Sequence, residues 1–364
     1  MQLVKSELAP RKSRPRQGVG LHKLLAPYFG TPGNVAITII CLALVALIAA
    51  KAISWLVLDA VFSGNPATCK ASVGACWPFI TSKFRFMVFG FYPYEEQWRP
   101  VAALAIFFAA CGISMNPATW GRKLAAFWAI ALLVIFWLML GGVLGLEYVP
   151  TAKWGGLPLS FMLSFIGLAA AFPLGIVLAL ARASKLPVIK VLAIAFIELV
   201  RGVPLISILF MASVMLPLFM PDGFTIDKLL RAQVAIILFA AAYVAEIVRG
   251  GLQAIPKGQY EASAAMGLHY WQMMRLIVLP QAIKIMIPPL VTLFIGFFQD
   301  TTLVVIVGLL DFLDTIRSAM RDPQWQGIAV LEGYVFAATV YLLFSTIMGA
   351  YSRFLERHFR MGHD

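Results

Sequence analysis

Long apolar runs separated by short polar intervals make up most of the chain. Eight such runs are read, at 35–58, 101–115, 124–146, 157–181, 188–219, 232–248, 285–310 and 331–352. Crossing a hydrocarbon core takes about 20 predominantly apolar residues in a helix. The pattern therefore predicts an all-α polytopic membrane protein with eight transmembrane helices. The run at 101–115 is the weakest, unless it extends toward Trp120. The run at 188–219 is too long for one regular crossing, and Gly202 and Pro204 predict a break within it. Three apolar runs precede the last five, and no internal repeat is visible.

One interval, 255–284, is polar and mixed between apolar neighbours. Ile255-Pro256-Lys257-Gly258 interrupts the preceding helix. Ala262, Ala265 and Met266 then share one face of a short helix. Gly267 suits the left-handed position just past a helix end. A second helical run, with Tyr270, Met274, Ile277 and Val278 on one side, reaches Pro280. The spacing predicts a helix–turn–helix beside the membrane, with small residues that let another surface approach. Spacing alone fits an amphipathic loop resting on lipid equally well.

The charge balance changes this picture only in orientation. The chain is 364 residues long, with 29 Lys and Arg against 17 Asp and Glu, for a formal charge of +12. An excess of that size can signal nucleic acid. Here, however, Lys and Arg are twice as numerous in the segments assigned to the cytoplasm as in those assigned outside. That asymmetry is the positive-inside pattern, so no nucleic-acid partner is expected and both termini are placed in the cytoplasm. Residues 1–34 read as a basic cytoplasmic tail. The run after it is longer than a signal peptide and is followed by further spans, which predicts an uncleaved anchor. Lys51, late in that run, can snorkel outward. The aromatic stretch from Trp77 to Trp98, within the external loop 59–100, suits a membrane interface.

Cys41 and Cys111 fall inside apolar runs and read as small packing residues. Cys69 and Cys76 lie in the external loop, where an oxidising compartment permits a disulfide. Catalytic chemistry is absent from the pattern. No GxxxxGK[ST] phosphate loop occurs, no His/Cys cluster has metal spacing, and no nucleophile has its base. Neither enzyme activity nor a bound cofactor or metal is expected, which leaves binding, gating and the transmission of force.

With these residues in hand, the chain resembles the permease subunits of bacterial ABC importers. Glu261, Ala262, Gly267, Ile277, Leu279 and Pro280 match the family's Glu-Ala-Ala loop, with Ser263 in place of its third Ala. ELVRGVPL, AAYVAEIVRGGLQAIPKGQ and PPLVTLFIGFFQDTTL match the polar amino acid branch in the family's order. The resemblance covers roughly 157–357. The long N-terminal part, with FGFYPYEEQWRP, looks like the M-type permease of the general L-amino acid transporters.

The resemblance implies a type I importer core of five helices at 157–357, preceded by a three-helix extension at 35–156 and followed by a cytoplasmic tail at 358–364. It also implies an inner-membrane location and L-amino acid import. The implied partners are an ATPase dimer that uses ATP and Mg, a periplasmic amino-acid-binding protein and a second, non-identical permease. Glu261, Ala262, Ser263, Gly267, Leu279 and Pro280 would couple to the ATPase, with Ala262 and Ser263 allowing close approach and Pro280 marking the return into the bilayer. A self-contained channel or secondary transporter is the alternative. Such transporters often carry inverted repeats, which are not found here.

Charges inside apolar runs are costly and point to function. Arg201 and Asp300 each lie about 21 Å from the cytoplasmic boundary at about 1.5 Å per residue. Opposite charges at one depth suit an amino acid zwitterion, with Arg201 on the carboxylate and Asp300, beside Thr301, on the ammonium. Glu198 and Glu246 lie lower and read as accessory or gating groups. The plainer alternative pairs Glu198 with Arg201 at i, i+3 and caps Asp300 with Thr301 and Thr302.

Overall fold

A computed structural model describes residues 28–360 apart from 222 and 224. Most of the expected basic tail and the last residues of the chain lie outside the described residues. Among those described, seven helical stretches are long and apolar enough to cross a membrane. An eighth crossing exists only if Pro187–Gly202 and Leu205–Phe219, bent by 102°, count as one. The described residues thus hold seven continuous spans and one bent pair, which make eight when the pair is taken as one broken span. The bend sits where Gly202 and Pro204 predicted it. Val203 precedes a proline and is pushed to an extended conformation, ψ 134°, because the proline ring clashes with a helical neighbour.

The chain divides into two compact units. The smaller contains α1 (Pro32–Ile53), which starts cleanly because the Thr31 hydroxyl accepts from the Asn34 N–H at 3.2 Å and Pro32 occupies the first turn. A helix this apolar with no buried residue has the surface of a lipid-facing span. Cys41, expected to pack, is accordingly exposed. In the same unit the Ala75 N–H donates to the Trp55 carbonyl at 2.8 Å, and Val61 to Ala75 at 2.8 Å.

The larger unit carries α2 (Pro66–Lys70), α3 (Trp77–Phe89), α4 (Trp98–Ser114), α5 (Arg122–Leu140), α6 (Gly156–Arg182) and α7 (Pro187–Gly202). Then come α8 (Leu205–Phe210), α9 (Lys228–Gln253), α10 (Lys257–Ala265), α11 (Tyr270–Met273), α12 (Leu279–Asp300), α13 (Phe312–Met320) and α14 (Val330–Arg360). Helices α6 and α9 form the most extensive pairing. A Cβ on Gly175 would stand 2.5 Å from Val244 Cγ1 and 3.0 Å from the Ala241 carbonyl. In a bilayer, helix association depends on such close backbone approach, so Gly175 sets the distance between the two.

The weakest predicted span extends the other way from the expectation, outward from Ser114 to Tyr94 rather than toward Trp120. This draws in Arg99, which is fully buried. Its Nε donates to the Leu138 carbonyl at 2.6 Å and its Nη1 to the Glu147 carbonyl at 2.8 Å. The Tyr92 hydroxyl donates to the Met139 carbonyl at 2.9 Å. Together they satisfy the open carbonyls at the C-terminal end of α5, where a cation is also favoured by the helix dipole.

The aromatic stretch from Trp77 to Trp98 is divided: Phe79, Phe89 and Tyr92 are buried, whereas Phe84, Phe91, Tyr94 and Trp98 stay exposed. Phe79 is fully buried and its ring lies 5.5 Å from that of Trp325. Thr315 Oγ1 donates to the Met87 carbonyl at 2.6 Å, fastening α13 to α3. Lys83 pairs with Asp322 and holds that carboxyl below the usual range. Cys69 and Cys76 form a disulfide with Cα atoms 5.5 Å apart, and the Cys76 N–H donates to Glu332 Oε1 at 2.8 Å. Thiol labelling of the non-reduced, denatured protein should find two reactive cysteines, Cys41 and Cys111; four would contradict the bridge.

Asp311 begins α13, accepting from the N–H groups of Leu313 and Asp314, both at 3.0 Å. Burial pushes its carboxyl up from 3.8 to about 6. The folded state thus holds a proton that the unfolded chain has released. Stability is greatest below the unfolded value and falls as pH rises toward the folded one, by about 2–3 kcal/mol. Asp311→Asn keeps an acceptor for the helix start and should lose this dependence. Unfolding of the detergent-solubilised pair at mildly acidic and neutral pH checks it; parallel pH profiles would refute it.

Candidate coupling and substrate sites

The interval 255–284 folds as its punctuation requires. Pro256 and Lys257 start α10, and the helix closes in a Schellman turn. The Leu268 N–H returns to the Ser263 carbonyl at 3.2 Å and the Gly267 N–H to Ala264 at 3.0 Å. Gly267 has φ +75°, with nothing near a Cβ position. It is held by conformation and not by space, as the C′ site of such a turn demands. Glu261, Ala262, Ala265 and Met266 are exposed.

Ser263 does not join that outward face. It is fully buried, its hydroxyl donating to the Gln259 carbonyl at 2.6 Å. Its small size serves packing within the chain, which corrects its expected contact with a partner. Pro280 is also not a break. Helix continues from Tyr270 to Val307 through a wider π turn at Met274–Val278. A proline lacks an N–H and crowds the preceding turn, and a π turn just before it relieves both. Leu279, Val278 and Ala282 pack into an apolar cluster with Val248, Ile255 and Met286. The exposed helix is therefore seated on the ends of α9 and α12.

The intramembrane charges meet on Glu246. Its carboxylate takes Arg182 at 2.8 Å, Arg249 at 2.8 Å and Arg201 at 3.6 Å. Arg182 also reaches Glu198 at 2.9 Å. The Glu198–Arg201 pair of the plainer alternative does not form. Five charged groups from α6, α7 and α9 thus leave one surplus positive charge, and Arg201 Nε is buried without a hydrogen-bond partner. Two members, Arg182 and Arg249, escaped the sequence reading because they end apolar runs, where arginines mark topology.

Arg201 also lies 5.4 Å from the ring of Tyr243. That tyrosine lines a cavity of about 350 Å³ together with Asp300, Phe239, Thr292, Gly296 and Phe297. Arg201 and Asp300 form no ion pair with each other among the described residues; Tyr243 is their common neighbour. Thr301 does not line the cavity: it is buried and donates to the Phe298 carbonyl at 2.9 Å. A cavity of this volume, mostly apolar with one carboxylate and a guanidinium nearby, falls in the small-molecule range.

Comparison with known proteins adds the following. Residues 171–361 match the family described as binding-protein-dependent transport system inner membrane component. The chain is 46% identical to the inner membrane amino-acid ABC transporter permease protein YhdY of Escherichia coli (strain K12), covering 92% of this chain and 91% of that one. It is 36% identical to the glutamate/glutamine/aspartate/asparagine transport system permease protein BztC of Rhodobacter capsulatus, covering 99% and 98%. Among solved structures, the crystal structure of an amino acid ABC transporter with histidines aligns with a TM-score of 0.51 and 28% identity, over 56% of this chain and 92% of that one.

Proposed function

We propose, starting from the fact that the chain belongs to the binding-protein-dependent transport system inner membrane components, that it passes L-amino acids across the inner membrane by alternating access. It is a multi-pass membrane transport subunit and not an enzyme. The family implies a separate ATPase and a substrate-binding protein as partners. Within that frame, α10 seats in an ATPase dimer, with Glu261 offering charge and Ala262 a close backbone approach. A second, non-identical permease completes the pathway, both termini face the cytoplasm, and residues 35–156 form an extension to a five-helix core. Relatives that match only 56% of this chain, such as the glutamate/aspartate import permease protein GltK, support that division.

The observation that carries the reading is continuity. One helical path runs from α11 through the π turn into α12, ending at Asp300. Movement of the docked segment is thereby delivered to the cavity. The Glu246 cluster joins α6, α7 and α9, and it acts as the cytoplasmic latch that breaks and re-forms in each cycle.

Glu261→Lys tests the docking. The variant should assemble in the membrane, yet its reconstituted complex should lose about tenfold in substrate-stimulated ATP hydrolysis, since a charge reversal at a contact opposes docking by about 1.4 kcal/mol or more. Full stimulation would end the assignment.

A further inference from the structure

Next to the Glu246 cluster, bordered by α10 and α11, lies a second cavity of about 780 Å³. Arg182, Lys190, Arg249 and Lys257 line it together with Tyr260 and Tyr270, and no carboxylate among the described residues does. The two carboxylates that hold Arg182 and Arg249 approach from outside this lining. Lys190 and Lys257 form no ion pair among the described residues. Leu180, Ile194 and Met274 give the same cavity an apolar wall. Beyond it, α7 exposes Val188, Val191 and Leu192 at 69%, 62% and 65%.

We propose that this cavity binds a phosphate-bearing anion, supplied as the headgroup of an anionic phospholipid. Two lysines outside any ion pair among the described residues, two arginines whose carboxylates lie outside the lining, and the Tyr270 phenol make a site for a phosphate. The Tyr260 hydroxyl is held by the Leu252 carbonyl at 3.2 Å. Basic pockets between membrane helices on the cytoplasmic side hold such headgroups. The apolar wall and the exposed face of α7 distinguish a lipid from a free anion, because acyl chains gain from covering them. Arg182 and Arg249 serve both places. A phosphate drawing on these two guanidiniums competes with Glu246 for them, so the bound lipid weakens the cluster and eases its opening. The inference relies on α10 lying at the cytoplasmic surface, as in the function proposed above, but not on transport itself.

The test reads lipid binding and not uptake, so its failure is separable from that of the transport reading. The full chain with its partner subunits is placed in phosphatidylcholine bilayers doped with phosphatidylglycerol, and the lipids retained by the purified complex are quantified. Wild type should be enriched in phosphatidylglycerol. Lys190→Gln should lower the enrichment about fivefold and Lys190→Gln/Lys257→Gln about 25-fold, at roughly the attraction of one basic side chain each. Lys190→Arg, which keeps the charge, should retain it. If phosphatidylglycerol is not enriched but inorganic phosphate protects wild type and not the double variant against thermal unfolding, the anion site stands with a soluble source. Equal lipid retention by wild type and the assembled double variant, with no effect of inorganic phosphate on either, overturns it.

Discussion

Asp300→Asn and Arg201→Gln are each expected to lower amino acid uptake at least a hundredfold in proteoliposomes containing the whole importer. In the proposed site, Asp300 is the only carboxylate among the described residues that line the 350 Å³ cavity. Its amide variant would leave the substrate ammonium without a counter-charge in a low-dielectric setting. Truncating one member of a buried, charge-paired hydrogen bond costs about 2–5 kcal/mol, and a hundredfold is about 2.7 kcal/mol. Arg201 offers an unsatisfied Nε beside Tyr243, a donor free to meet a carboxylate. Removing it also takes one arginine from Glu246, but by the longest of the three contacts, at 3.6 Å. The latch therefore keeps Arg182 and Arg249, and assembly should persist. Near-normal uptake by both variants would reassign the cavity to packing.

Arg99→Met should destabilise the larger unit by about 3–5 kcal/mol, the usual cost of taking away one partner of a buried charged contact. Methionine fills much of the volume but donates nothing. The carbonyls of Leu138 and Glu147 lose their partners, and each buried unsatisfied group costs about 1–3 kcal/mol. Arg99→Lys should recover only part, because one flexible ammonium cannot reproduce the fixed fork of a guanidinium. Thermal unfolding of the solubilised chain measures both. A melting temperature unchanged by Arg99→Met would mean that the carbonyls find other donors.

The two sites differed in how far the sequence disclosed them. Gly267 was legible because a helix end needs a left-handed residue whatever surrounds it. The break at Gly202-Val203-Pro204 was legible for the same local reason. What lay beyond reach was whatever depends on which helices become neighbours. Glu246 gathers arginines from positions 182, 201 and 249, and two of these already had a sufficient explanation as charges at span ends. Ser263 looked like part of a small-residue face, but its side chain points into the chain's own packing. Arg99 lies at the end of the external loop 59–100 of the sequence pattern, and nothing local announces that its main-chain acceptors lie some forty residues downstream. Tyr243 carried no signal at all, because an aromatic in an apolar run is ordinary until a charge is seen beside it.

The Arg99 clamp also bears on how this protein can change over generations. Apart from a long contact to Glu96 at 3.5 Å, its acceptors are main-chain oxygens, so the side chains at 138 and 147 are free to drift without a matching change at 99. The constraint falls instead on Gly141, where an added Cβ would stand 2.4 Å from Arg99 Nη2 and 2.1 Å from the Glu147 carbonyl, at a backbone φ of +68°. A lineage that keeps the arginine must keep that glycine, but losing the arginine does not release the glycine, because the Glu147 carbonyl and the positive φ still exclude a side chain there. The dependence therefore runs one way, from the arginine to the space that the glycine leaves for it.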